Sequence, residues 1–123
     1  MQPSRIVYFE IPATQPEACM HFYKKVFGWQ FGQTKEEPYW LAKTGPDTLP
    51  GINGAITASK EGLDTVVNTI LVQNLEETMT AIVHHGGEVC SAKQNLKGIG
   101  QMVCFKDTEG HLHRALETNG RTK

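Results

Sequence analysis

Alternation with a period of two opens the chain. Val7, Phe9 and Ile11 fall on one side, and Ile6, Tyr8 and Glu10 on the other, which predicts a strand over Ile6–Ile11 that Pro12 ends. A carboxylate on so apolar a strand marks the even-numbered side as something other than ordinary core. The period then changes. Ala18, Cys19, Phe22, Tyr23, Val26 and Phe27 recur at helical spacing, with Thr14 as expected N-cap, Pro16 in the first turn and Glu17 near the positive dipole end. Gly28 is the expected stop, and Phe22-Tyr23 the expected core anchor of this helix. Trp29–Phe31, Tyr39–Lys43 and Ala55–Ala58 read as short strands. Between the last two, Gly45, Pro46, Pro50 and Gly51 predict a loop over Thr44–Gly54.

The same order then recurs. Val66–Val72 is a strand pattern, and Leu75, Met79, Ile82 and Val83 give a helix over Leu75–His85 that Gly86-Gly87 ends. Glu88–Cys90, Gly100–Lys106 and Leu112–Glu117 are further strands, with Asp107-Thr108-Glu109-Gly110 as a turn. Sliding the chain by 60 residues sets Tyr8 on Asn68, Ile11 on Leu71, Glu17 on Glu77 and Phe22 on Ile82. The element order and helix stops therefore predict an internal duplication, although period alone does not separate it from another α+β sandwich.

Composition narrows the class. With 123 residues, 39% hydrophobic and 20% charged, the chain has the size and make-up of one globular domain. A net charge of -1 gives no electrostatic pull toward nucleic acid or an anionic membrane. No stretch approaches a membrane span, and the polar start lacks a signal core, so a cytoplasmic location is expected. Cys19, Cys90 and Cys104 are odd in number and widely spaced, which suits free thiols rather than a disulfide framework or metal knuckle. No Ser or Cys has a histidine at fixed spacing, and Gly98-Ile99-Gly100 lacks the context of a dinucleotide loop.

Phe9-Glu10-Ile11-Pro12-Ala13, followed by Phe22-Tyr23-x-x-Val26-Phe27-Gly28-Trp29, resembles the opening of the vicinal oxygen chelate superfamily, which includes glyoxalase, bleomycin resistance protein and extradiol dioxygenase. Gly86-Gly87 and Asp107-x-x-Gly110-His111 resemble the marks of its second half. The resemblance implies a single domain over residues 1–123. Two βαβββ modules, about 5–58 and 65–118, would roll an eight-stranded mixed sheet into a cup with helices on the convex side. It also implies a small-molecule pocket inside the cup and a homodimer.

Enzymes of that family hold a divalent metal with four His or Glu ligands and use it as a Lewis acid. The positions that match those ligands carry Tyr8, Asn68, the Gly54-Ala55 pair and Arg114, so neither metal nor other cofactor is expected. His111-x-His113, His84-His85 and His21 read as solvated or dipole-facing. Strand parity predicts a pocket wall of Tyr8, Glu10, Asn68, Ile70, Leu112, Arg114 and Leu116, with His113 turned away and Trp29, Tyr39, Trp40 and Asn53 at the rim. Arg114 suits a planar anion, although a pair with Glu10 would satisfy both charges equally well.

Three readings of function follow. One is a metal-independent protein that binds or sequesters a small aromatic or anionic metabolite or drug. Another is a lyase, isomerase or dioxygenase-type enzyme with an altered site, Glu10 acting as base and Arg114 stabilising an oxyanion. The third is an accessory dimer with a vestigial cup.

Overall fold

The computed structural model describes residues 3–35, 38–59 and 65–119. The chain divides into two compact units, Tyr8–Val67 and Asn68–Lys123 with Met1–Val7. Each unit combines one helix with a mixed sheet, an α+β arrangement, and both follow one internal topology.

The first unit uses β1 (Arg5–Ala13), α1 (Pro16–Phe27), β2 (Gln30–Gln33), β3 (Tyr39–Lys43) and β4 (Gly54–Ala58). β4 returns parallel to β1, while β2 and β4 flank β3 antiparallel, so the order is β2-β3-β4-β1. Gly54 sits where β4 presses on β1: a Cβ there would lie 2.3 Å from the Phe9 carbonyl oxygen. The core is small, formed by Ala13, Ala42, Ala55 and Ile56. Ile56 is fully buried and lies in register with Ile11 and Trp40.

Two expectations for α1 need correction. Its N-cap is Gln15 rather than Thr14, with no side-chain capping bond, because Gln15 already supplies the carbonyl that accepts the Cys19 N–H at 3.0 Å. At the other end Gly28 takes the left-handed φ of 78° and donates to the Lys24 carbonyl, as expected of the stop. Phe22 is not a core residue: it is 54% exposed, beside exposed Val26 and Phe27. The anchor is Tyr23. Its ring stacks on Trp29 with centroids 4.6 Å apart, and Trp29 in turn meets Phe9 at 5.6 Å. Helical spacing marks a stripe, but the width of the cover over it comes from tertiary packing.

The second unit uses β5 (Val67–Leu71), α2 (Leu75–His84), β6 (Glu88–Val89), β7 (Gln94–Leu96), β8 (Gly100–Lys106) and β9 (Leu112–Thr118). β9 runs parallel to β5 and antiparallel to β8, which pairs antiparallel with β6. This is the same path as in the first unit. β7 is an addition, joined to β8 by a tight turn in which Ile99 N–H donates to the Leu96 carbonyl at 2.9 Å. It makes nine strands among the described residues instead of eight. Gln94-Asn95-Leu96 has no apolar alternation, so backbone pairing alone defines this strand.

Val72, Leu75, Val103 and Ala115 form the core of this unit, with Ile70, Met79, Val89 and Phe105 packed against it. α2 is well capped. Asn74 Oδ1 accepts the Glu77 N–H at 2.9 Å, and Glu117 Oε1 accepts the Leu75 N–H at 2.7 Å. Glu117 is therefore tied to a helix end. Among the described residues no helix is long and apolar enough to cross a membrane.

Candidate ligand-binding site

Parity on β1 sorts its side chains. Phe9 meets Trp29, which stacks on α1, so odd-numbered residues face the helix and even-numbered Tyr8 and Glu10 face the other side. Through the sheet register Glu10, Ala55, Leu41 and Gly32 share that second side, and Tyr39 stands two residues along β3 from Leu41. Tyr39 is thereby brought to Tyr8 and Glu10, with which the sequence grouped it.

These three residues make a hydrogen-bonded chain. The Tyr39 hydroxyl donates to Glu10 Oε2 at 3.0 Å and lies 2.6 Å from the Tyr8 hydroxyl. Burial pushes the Tyr39 hydroxyl above the ordinary phenol range, and its bond to Tyr8 and the Glu10 charge push the same way. Tyr39 consequently stays protonated at any physiological pH.

Tyr8 also lines a shallow open cleft of about 380 Å³ within this unit, with Gln30, Gly32, Leu41, Lys43 and Asn53 among its walls. Gly32 and Leu41 are cross-strand partners and provide its apolar floor, while Lys43 and Gln30 pair at one side. Asn53 is fixed from the loop: its Oδ1 accepts the Thr44 N–H at 2.9 Å and the Thr44 hydroxyl at 3.3 Å. The Thr44 hydroxyl also donates to the Ile52 carbonyl at 2.6 Å. Lys43, Gln30 and Leu41 were not singled out from the sequence, although alternation along Tyr39–Lys43 places Leu41 and Lys43 beside Tyr39. A roomier hollow of about 520 Å³ follows the solvent side of α2, but a single helix walls it.

Other expected site residues lie elsewhere. Trp29 and Trp40 sit on the helix side of the first unit, Trp29 against Tyr23 and Trp40 in register with Ile56. In the second unit Thr69 pairs with Arg114 and Leu71 with Leu116, so these four share one face, and Leu112 joins them by parity on β9. Asn68 and Ile70 are on the opposite face, in register with His113 and Ala115 and toward α2. This is a correction to the expected wall. Helix-facing residues are odd-numbered in β1 and even-numbered in β5, so a 60-residue slide carries one face onto the other.

His113 points away from Arg114, as parity required, and stacks on Phe105 with centroids 5.6 Å apart. His111 is bound into its turn: Asp107 accepts its backbone N–H at 2.9 Å and faces its ring Nδ1 at 3.0 Å. Those bonds, the His111 N–H foremost, hold the Asp107 carboxyl below its usual range. Among the described residues no three His, Cys, Asp or Glu side chains converge. Of the positions that the sequence matched to the family's ligands, Tyr8 carries a phenol whose hydroxyl meets Tyr39, Ala55 a methyl group and Arg114 a cation, while Asn68 lies on the face toward α2. None of the four supplies an imidazole or a carboxylate to a divalent ion.

No family model matches the chain. A glyoxylase-like domain-containing protein of Didymella fabae is 28% identical over 121 residues, covering 91% of this chain and 92% of that one. A solved hypothetical protein of Bacillus halodurans superposes with a TM-score of 0.70 at 11% identity, over 99% of both chains. A glyoxalase/bleomycin resistance protein/dioxygenase superfamily member of Vibrio splendidus gives 0.69 at 13% identity, over 94% of this chain and 99% of that one. Methylmalonyl-CoA epimerase of Streptomyces coelicolor gives 0.64 at 13% identity, over 97% of this chain and 100% of the other. At such identities the superpositions speak for the fold alone.

Proposed function

We propose that this chain, which shares the fold of a glyoxalase/bleomycin resistance protein/dioxygenase superfamily member and is similar in sequence to a glyoxylase-like domain-containing protein, binds a small aromatic, anionic molecule without a metal. The observation that carries this reading is the cleft on the sheet face of the first unit. Its floor is apolar and flat, and polar groups converge at its margin: Tyr8, Asn53 and Lys43. Few polar groups around an apolar floor suit a small ligand, the floor supplying burial and the polar groups orientation. Lys43 supplies the attraction for an anion.

Ligand-observed NMR of the full chain against aromatic carboxylates, benzoate first, tests the reading. Saturation transfer is expected with the wild type and should vanish in Leu41→Trp, where a larger ring fills the floor. No transfer, or equal transfer in both, would refute it.

A second reading, an isomerase or lyase, is favoured by one observation. Glu10 is a carboxylate on the cleft side of β1 with a phenol donating to it, the composition of a general-base site. Deuterium exchange into 2-oxo acid probes that disappears in Glu10→Gln would support it.

A further inference from the structure

The cysteines are spread along the chain, yet the fold of the second unit brings Cys90 and Cys104 together. β6 and β8 run antiparallel with Val89 opposite Phe105, which sets Cys90 opposite Cys104 one step further along. The Cys90 N–H donates to the Cys104 carbonyl at 2.9 Å, so a backbone bond fixes the pair. Val89, Val103 and Phe105 pack with the core beneath α2, so both cysteines project from the other face of the sheet. Residues paired in this way hold their Cα atoms about 5.5 Å apart, inside the span of roughly 4.4–6.8 Å that a disulfide bridges.

Two features of the pair bear on its chemistry. The first is that the ladder ends here. In a complete pair the Cys104 N–H would donate back to the Cys90 carbonyl, but the Ser91 hydroxyl takes it instead at 2.9 Å. One backbone bond rather than two holds Cys90 against β8. That leaves it room to close the difference of about 1 Å between cross-strand and disulfide Cβ separations. The second is access: Cys90 is exposed, while Cys104 is half-buried.

We propose that Cys90 and Cys104 form a reversible disulfide by exchange with a low-molecular-weight disulfide of the glutathione class, Cys90 reacting first and Cys104 resolving. The Cys90 thiolate attacks one sulfur of the reagent, whose S–S bond breaks and releases one thiolate. The Cys104 thiolate then attacks the Cys90 sulfur, the mixed disulfide breaks and the second thiolate leaves. Two protein thiols give up two protons and two electrons, and the reagent is reduced to two thiols. The bridge joins an exposed pair that must shift to make it, so it is of the labile kind that reduced glutathione reopens. Cys19 is the one cysteine of the first unit, and it serves as a reference thiol that holds a mixed disulfide without resolving it.

Treating the full chain with excess glutathione disulfide, then mapping its peptides by mass spectrometry without reduction, tests this. Burial and the neighbouring Cys104 push the Cys90 thiol up, so a mildly alkaline buffer is used to supply the thiolate. Cleavage at Lys93 and Lys97 puts the two cysteines on separate peptides, so a bridge appears as their covalent sum less two hydrogens. The wild type should give that linked species as the main product at the pair, and reduced glutathione should remove it. Cys104→Ser should instead trap glutathione on Cys90, at about tenfold the level the wild type retains there. A wild type that keeps glutathione on Cys90 without the link, links between separate chains, or a pair left unmodified would overturn the proposal. The wild-type map needs no variant, so a substitution that fails to fold leaves the test standing.

Discussion

Replacing Ile56 and Phe22 by alanine, one at a time, separates the core of the first unit from its surface. Ile56 is fully buried, in register with Ile11 on β1 and Trp40 on β3. Truncating it removes three carbons from a packed layer of small residues that has little room to collapse, so a loss of about 3–4 kcal/mol is expected. Phe22 is more than half exposed, at 54%, and its ring meets Tyr23 and Phe27 at centroid distances of 5.2 and 6.3 Å. Full burial of such a side chain contributes roughly 1.5–3 kcal/mol, so its partial burial here should contribute about 1 kcal/mol or less. Urea unfolding followed by circular dichroism reads both. With a slope of about 2 kcal/mol/M, Ile56→Ala should lower the midpoint by about 1.5–2 M and Phe22→Ala by no more than about 0.5 M. A loss at Phe22 equal to that at Ile56 would refute the reasoning. It would mean that the aromatic face of α1 is covered in solution.

The remaining predictions are more local. Asn74→Ala should cost about 1 kcal/mol by uncapping α2, read from the same unfolding curves. Tyr39 titrates above the usual phenol value when folded, so the folded state holds its proton after the unfolded chain has lost one. Stability should therefore be complete below about pH 10 and fall above it, more steeply in the wild type than in Tyr39→Phe. Cys90 has its thiol pushed up by burial and by neighbouring Cys104, so it should react with iodoacetamide at neutral pH more slowly than free cysteine, by mass spectrometry.

Much of this architecture is legible in the sequence, because periodicity and glycine stops are local signals. The β1 pattern Val7-Tyr8-Phe9-Glu10-Ile11 separates its faces unaided, and it brings Tyr8 and Glu10 to the cleft side. The β5 pattern Val67-Asn68-Thr69-Ile70-Leu71 does not, since apolar residues occur at both parities. Its facing is decided by the pairing of Ile70 with Ala115 beneath α2, a long-range contact. A duplication read by element order leaves a one-residue ambiguity, and one residue is enough to reverse a strand. Phe22 misleads for a different reason: helical spacing gives α1 a stripe wider than the surface it covers, and it is Tyr23, not Phe22, that stacks on Trp29. Trp29 and Trp40 invite a rim assignment by composition, yet both stand on the helix side, where large aromatics fill the layer above the small core residues. The strand β7 has no side-chain signature at all.

The central claim is that the sheet face of the first unit holds a small aromatic anion through side chains alone. A crystal structure of the full chain soaked with 4-hydroxybenzoate tests it most directly. The expected result is the ring over Leu41 and Gly32 with the carboxylate beside Lys43. A ring found elsewhere, or a cleft already filled by a bound cation, would contradict it.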